Sequence, residues 1–360
     1  MSRNLVSLSV AASVLGGTAM ADVPDVVADI APVHSLVARV MQGVGEPSLI
    51  VAPGASPHEY NLRPSEAGAL QDADLVFWVS PDLTPWLGGA IETLAGDATA
   101  TELLEVDGTT KLPFREGVLF EAHSHKNEDH DDKHDGHDHD TDAHGQDHDD
   151  HGREDHAEEA AHDDHGHEDP DHGQADQAGH DSAGHAGHDH GDHDPHAWLS
   201  PDNGAVWLNA IAAQLSAADP NNAGTYFANA AAGREELAAL STEINGILEP
   251  VRGRNFIVFH DAYQYFETAF DFPASGAISV SDAADPSPAR ITGIQARVAD
   301  QGASCVLSEP QYDPGIVAAV MDRSEASTGV LDPLGSDLEP GPDLYGNVLH
   351  NLATALADCL

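Results

Sequence analysis

The sequence predicts an α/β protein of two lobes, each a parallel-type sheet wrapped by helices, with one long helix joining them. Three observations predict it. Short apolar runs alternate with segments of helical period, the pattern of βα units. The alternation occurs twice, over about 22–215 and again over 251–360. Between them, over 216–250, a stretch from Asn221 to about Leu248 runs without proline and is rich in Ala, Glu and Leu.

In the first lobe, Val26–Ile30, Leu49–Ala52 and Leu75–Val79 read as buried strands. Ser35–Gly43, Ser65–Asp72 and Pro85–Leu94 read as helices, the second capped by Ser65. Asp202–Ala217 is a further helix. The joining helix has Asn222 as its candidate cap and ends at Pro250. Its roughly 27 residues would span roughly 40 Å. The second lobe pairs strand Phe256–Phe259 with helix Ala262–Phe270, and strand Ala277–Val280 with helix Pro288–Gln301. Strand Cys305–Leu307 then pairs with helix Pro314–Arg323, and strand Gly329–Leu331 with helix Asp343–Ala357.

Residues 1–21 have the form of a cleavable signal peptide, with Arg3, an apolar Leu5–Leu15 and the small-x-small site Ala19-Met20-Ala21. The mature chain then begins at Asp22, with no cysteine nearby for lipid attachment and no later membrane span, so the expected location is the periplasm. Cys305 and Cys359 are the only cysteines. Export permits a disulfide between them, and two buried thiols are the alternative. The net charge of −48 argues against nucleic acid or an anionic membrane as partner. A cation is the natural ligand class for such a chain, although solubility in a salty habitat would give the same bias.

Segment 121–194 stands apart. It contains 26 acidic and 3 basic side chains, 19 of the 24 histidines, and no Val, Ile, Leu, Met, Phe, Tyr or Trp. It has no apolar material for a core, so it is expected to be a disordered insert. Aspartate alone would serve a solvated linker. Pairs such as His137/His139 and His188/His190 add imidazole donors suited to zinc, copper or nickel. Each ion bound there must order the chain, so its affinity should fall below that of a preformed pocket.

Outside the insert remain His34, His58, His196, His260 and His350. His58 follows a strand in Gly54-Ala-Ser-Pro-His-Glu-Tyr60, and His260 ends one in Phe259-His-Asp-Ala-Tyr263. His196 lies in Asp194-Pro-His-Ala-Trp-Leu-Ser-Pro201, and Asp332 follows a short strand in Leu331-Asp-Pro-Leu-Gly335. Ligands of open α/β sheets collect at the carboxyl ends of strands. A metal between the lobes would therefore draw His58 and His196 from one lobe, and His260 and Asp332 from the other. A lone loop histidine is otherwise a surface or structural residue. His34 is open to either reading, and His350 is expected on an exposed helix face. Glu59, Asp194, Asp261 and Glu309 are candidates to orient the imidazoles, or else they make local turns.

These motifs, together with Phe259-His-Asp-Ala-Tyr-Gln-Tyr-Phe266 and Ser308-Glu-Pro-Gln311, resemble the ZnuA-type zinc-binding proteins among the metal-specific ABC-transporter substrate-binding proteins. The resemblance spans essentially the whole mature chain and includes the acidic histidine-rich insert. It implies a rigid backbone helix joining the lobes, a Cys305–Cys359 disulfide, and zinc bound by His58, His196 and His260. Asp332 matches a carboxylate ligand of manganese-type relatives and is the expected fourth ligand here, with water as the alternative. Some zinc members carry a Glu directly before the first histidine, where this chain has Pro57. The implied partners are zinc ions and an ABC permease with its cytoplasmic ATPase, served by a monomer that is not an enzyme.

Two other function classes compete. Three histidines and an open position also suit a zinc hydrolase, but the chain has no His-Glu-x-x-His helix and no evident general base. A metal buffer, with the insert as its working part, is the third reading.

Overall fold

The computed structural model describes residues 23–115, 193–279, 287–300, 302–322 and 324–360. The expected signal peptide, and the expected insert apart from His193 and Asp194, lie outside the described residues.

In the first lobe β1 (Val26–Ala28) leads into helix α1 (Ala31–Met41), and β2 (Ser48–Leu49) into α2 (Pro64–Asp72). Strand β3 (Leu75–Trp78) is followed by α3 (Leu87–Leu94) and β4 (Thr99–Glu102). The four strands are parallel, in the order β2-β1-β3-β4. Next come α4 (Pro201–Ala218) and α5 (Ala223–Leu248). The second lobe runs β5 (Phe256–His260), α6 (Gln264–Phe270), β6 (Gly276–Ser279), α7 (Pro288–Asp300), β7 (Cys305–Ser308), α8 (Pro314–Met321), β8 (Ser327–Val330) and α9 (Leu344–Cys359). Its sheet is again parallel, in the matching order β6-β5-β7-β8.

The central strands are apolar throughout because both faces are covered. Side chains alternate between faces. Val26 and Ala28 point into an inner core, while Val27 packs outward with Leu70, Leu87 and Ile91 of α2 and α3. Phe256 and Val258 join the same inner core, and Ile257 and Phe259 pack outward with Ile294, Val298 and Val317 of α7 and α8. One continuous core therefore lies between the two sheets, filled by helices α1, α4, α5 and α9. At 26 residues, α5 is about 39 Å long. It buries Tyr226, Ala230, Gly233, Leu237, Ile244 and Leu248, a stripe of mostly three- and four-residue steps that packs against α1, α4 and α9. Gly233 allows this close approach, since a Cβ would sit 3.0 Å from Leu208 of α4 and 3.4 Å from Arg39 of α1, and those side chains would have to give way.

Several boundaries differ from expectation, for local reasons. Helix α1 begins four residues early because Pro32 is tolerated in a first turn. Helix α2 begins at Pro64, so Arg63 and not Ser65 is the cap residue, and the Glu66 carboxylate accepts the Arg63 N–H at 2.7 Å. Asn222 does occupy the cap position of α5, but its amide donates to Asp219 instead of capping the helix. Strand β4 escaped the sequence reading because Thr-Ala-Thr-Glu offers no apolar run at a half-exposed edge. Cys305 of β7 and Cys359 at the end of α9 form a disulfide, with Cα atoms 5.8 Å apart. This decides between the bond and two free thiols.

Candidate metal centre

His260 is the last residue of β5, and Glu309 directly follows β7. These are the neighbouring strands at which the order of the second sheet reverses, where open α/β sheets bind ligands. The His260 ring Nδ1 lies 2.6 Å from Glu309 Oε1. His196 comes from the segment ahead of α4 and repeats the arrangement, with its Nδ1 2.7 Å from Asp194 Oδ1. A carboxylate on Nδ1 fixes the Nδ1–H tautomer and leaves Nε2 bare. The two Nε2 atoms face each other at 3.4 Å. Bare lone pairs at that distance repel unless a cation or a proton stands between them.

The spacing is itself informative. Two zinc–nitrogen bonds of about 2.0–2.1 Å at a tetrahedral angle place their nitrogens about 3.3–3.4 Å apart. The third ring, His58, lies at the edge of this pair, its centroid 5.5 Å from that of His196, against 5.2 Å between His196 and His260. As they lie, no group of three or more His, Cys, Asp or Glu side chains among the described residues is gathered closely enough to hold a metal ion. The molecule thus presents a pair at metal spacing and a third imidazole beside it.

Local structure explains why the rings stand there. The loop bearing His58 turns at Gly54, whose φ is +80°. The Trp86 indole pins the loop by donating to Pro57 O at 2.8 Å, and the Tyr60 hydroxyl pins it by donating to Glu66 at 2.8 Å. His196 precedes a 3₁₀ turn, Ala197–Leu199, that is tied to the second lobe twice. Trp198 Nε1 donates to Pro333 O at 2.9 Å, and the Tyr345 hydroxyl on α9 donates to Trp198 O at 2.7 Å. Gly204 makes room for that tyrosine, since a Cβ would lie 2.5 Å from its oxygen.

The three histidines line one cavity of about 20 Å³, walled otherwise by groups such as Pro57, Trp198 and Tyr312. That volume admits an occupant of about water or ion size. Asp332 does not line it. The Asp332 carboxylate instead accepts N–H bonds from Leu334 at 3.1 Å, Gly335 at 3.0 Å and Ser336 at 2.5 Å, and one from the Gln311 amide at 3.3 Å. Of the orienting candidates, Asp194 and Glu309 meet histidines. Asp261 instead meets Arg115, as does Glu267, and Glu59 is exposed. Burial pushes the Asp261 and Glu267 carboxyls up, and Arg115 works against that shift. Burial, helped by Glu309 and Asp332, holds the Tyr263 phenol well above its usual range, so it stays protonated. His34 lies in α1 with Nε2 3.0 Å from Pro47 O, away from the cavity, and burial lowers its pKa. His350 is half-exposed on α9, with Nε2 3.3 Å from Glu243.

Sequence reasoning missed Tyr312, whose ring meets His260 edge-on at 5.5 Å, and Arg115. Only the Ser308-Glu-Pro-Gln311 motif hinted at Tyr312, by adjacency. Arg115 gave no local signal, since its partners lie 146 and 152 residues away.

Similarity to known proteins extends over nearly the whole chain. The family described as zinc-uptake complex component A, periplasmic, matches residues 26–359. The high-affinity zinc uptake system protein ZnuA of Brucella abortus is 45% identical, over 99% of both chains. That of Paracoccus denitrificans is 42% identical over 98% of this chain and 97% of its own. Among solved structures, one described as a crystal structure of ZnuA superposes with a TM-score of 0.64 at 20% identity, covering 93% of this chain and all of the other. The periplasmic zinc-binding protein TroA of Treponema pallidum gives 0.64 at 17%, over 93% and 98%. Those two likenesses concern the fold. With nearly its whole length matched, the chain belongs to the periplasmic component A family of zinc-uptake complexes.

Proposed function

We propose that the chain is the zinc-capturing component of an uptake system, holding Zn²⁺ at His58, His196 and His260 and delivering it to an ABC permease driven by a cytoplasmic ATPase. The observation that carries the site is the His196–His260 pair, with two carboxylate-backed imidazoles at the nitrogen spacing of a tetrahedral zinc ion. Three imidazoles favour zinc over oxygen-loving manganese. Asp332 was the expected fourth ligand, but its oxygens already serve a turn. Water is therefore the better fourth ligand, with Asp332 behind it. Zinc is cargo, so an open fourth position helps the ion to leave.

The finer parts of this reading are that residues 1–21 direct export to the periplasm, that the mature protein acts as a monomer, and that lobes 22–215 and 251–360 meet at the ion across helix 216–250. The 121–194 insert collects further ions more weakly. Among the described residues no helix is long and apolar enough to cross a membrane.

The test is a competitive zinc titration, with native mass spectrometry for stoichiometry, on the mature chain lacking 123–188. The expected result is one tight site, lost when His58, His196 or His260 is changed to Ala. A parent protein with no tight site would move the function to the insert.

A further inference from the structure

Residues Thr109–Arg115 form a strap that leaves the first lobe and crosses to the second. On the first-lobe side, the Trp207 indole donates to Thr109 Oγ1 at 3.0 Å, and the Asn203 side chain bonds both the N–H and the C=O of Thr110 at 2.8 and 3.1 Å. On the far side, the Tyr265 hydroxyl of α6 accepts from Leu112 N–H at 2.9 Å and donates to Asp194 O at 2.8 Å. Asp194 N–H donates back to Leu112 O at 2.8 Å, and Pro113 bridges antiparallel to His193. The two ends of the segment between residues 115 and 193 are thus laced together on α6, beside the residue that orients His196.

At the end of the strap, Arg115 reaches two carboxylates of the second lobe. Nε donates to Asp261 Oδ1 at 2.9 Å, and Nη1 to Glu267 Oε2 at 2.7 Å; Nη2 also contacts Asp261. All three side chains are largely buried, at 18, 9 and 6% exposure. A planar guanidinium forked between two buried carboxylates has little freedom to slide, because displacement would strand buried charge. Asp261 is the next residue after His260, and Ala262 N–H closes a turn back onto His260 O at 3.0 Å. The position of Asp261 therefore helps set the position of His260.

We infer that Arg115 is a positioning residue of the zinc site: anchored through its strap to α4, it holds Asp261 and so fixes His260 of the second lobe against His196 of the first. This rests on the reading of the cavity as a zinc site. It adds that retention of the ion depends on a cation outside the coordination shell. The effect of Arg115 is on geometry held between the lobes.

The experiment is stopped-flow release of zinc from the loaded mature chain into excess chelator. The phase belonging to the cavity is the one absent from His58→Ala. Arg115→Gln is expected to speed that phase by about tenfold, the lower end of what losing a partner bonded directly to a ligand costs, because Arg115 acts through Asp261. Arg115→Lys is expected to fall between Gln and the parent, since it keeps the charge and loses the fork. Leu237→Ala, which destabilises α5 away from the cavity, is expected to release zinc at the parent rate. If Arg115→Gln does not fold, Asp261→Asn replaces it, with the same acceleration expected. Release at the parent rate from the folded variant, or equal acceleration by Leu237→Ala, overturns the role of Arg115. A parent without any His58-dependent phase sinks the zinc site itself, and the positioning role with it.

Discussion

The two lobes share one sheet order and use it differently. In the second lobe the reversal point between β5 and β7 carries His260 and Glu309, an imidazole with its orienting carboxylate, facing the cavity. In the first lobe the matching point between β1 and β3 carries Asp29, fully buried. Its two oxygens accept the N–H groups of Ile30 and Val79, both at 2.8 Å, so it bridges the strand ends. The first lobe contributes its histidines from elsewhere, His58 from the loop after β2 and His196 from the approach to α4. The same topology therefore places an imidazole facing the cavity in one lobe and a carboxylate bonded to backbone in the other. What differs is whether the residue at the reversal point turns its polar atoms outward or spends them on backbone.

The largest expected effect separates the two points directly. His260→Ala should weaken the tight zinc site by more than the about 100-fold that outer-shell losses reach. Asp29→Asn should leave zinc affinity within about twofold, because its oxygens face backbone N–H groups and not the cavity. Competitive titration of both variants checks this, and a large loss from Asp29→Asn would break the comparison.

The second effect is on stability and belongs to the first lobe alone. Burial pushes the Asp29 carboxyl up from 3.8 to about 7, against its two backbone hydrogen bonds. Between those values the folded protein keeps a proton that the unfolded chain has released. Stability should accordingly fall as pH rises from about 4 to about 7 and level off above. The full shift corresponds to about 4 kcal/mol. Urea unfolding of the zinc-free protein at several pH values, with Asp29→Asn alongside, isolates this contribution. Parallel pH profiles for the two proteins would show that Asp29 is ionised throughout.

A smaller effect sharpens the second lobe's side. Glu309→Gln keeps the shape and removes the charge behind His260, and it should cost about 10–100-fold in zinc affinity. Asp194→Asn should do the same behind His196. If only one of the two matters, the pair is not the symmetrical clamp that its geometry suggests.

These residues were unequally legible in the sequence. The paired lobes could be read because buried parallel strands leave continuous apolar runs, and Phe256–His260 ends its run on the chemically distinctive residue. His58, His196 and His260 could be singled out by their settings, and Asp194 by lying two residues from His196. Asp29 could not, since a carboxylate after a strand reads equally as turn or ligand until its partners, one of them 50 residues away, are known. Strand β4 and the Arg115 clamp were hidden for related reasons. One forms at an edge where burial imposes no pattern, and the other is a charge pairing that exists only once the lobes have met.

Asp332 provides the finest test, because it lies in the lobe whose reversal point faces the cavity yet behaves like Asp29. Its carboxylate accepts three backbone N–H bonds from the turn Leu334–Ser336, as Asp29 accepts two. Were it a zinc ligand, Asp332→Asn would remove a charged donor and match the loss seen for a histidine. Held by its turn, it should cost less than about tenfold in zinc affinity, below the range for an outer-shell partner in direct contact with a ligand. The same substitution puts an amide N–H₂ among backbone donors, so it should lower the unfolding free energy by about 1–3 kcal/mol. Titration and urea unfolding of one variant therefore give opposite rankings for the two roles. A large loss of zinc affinity with little loss of stability would return Asp332 to the coordination shell and set it apart from Asp29.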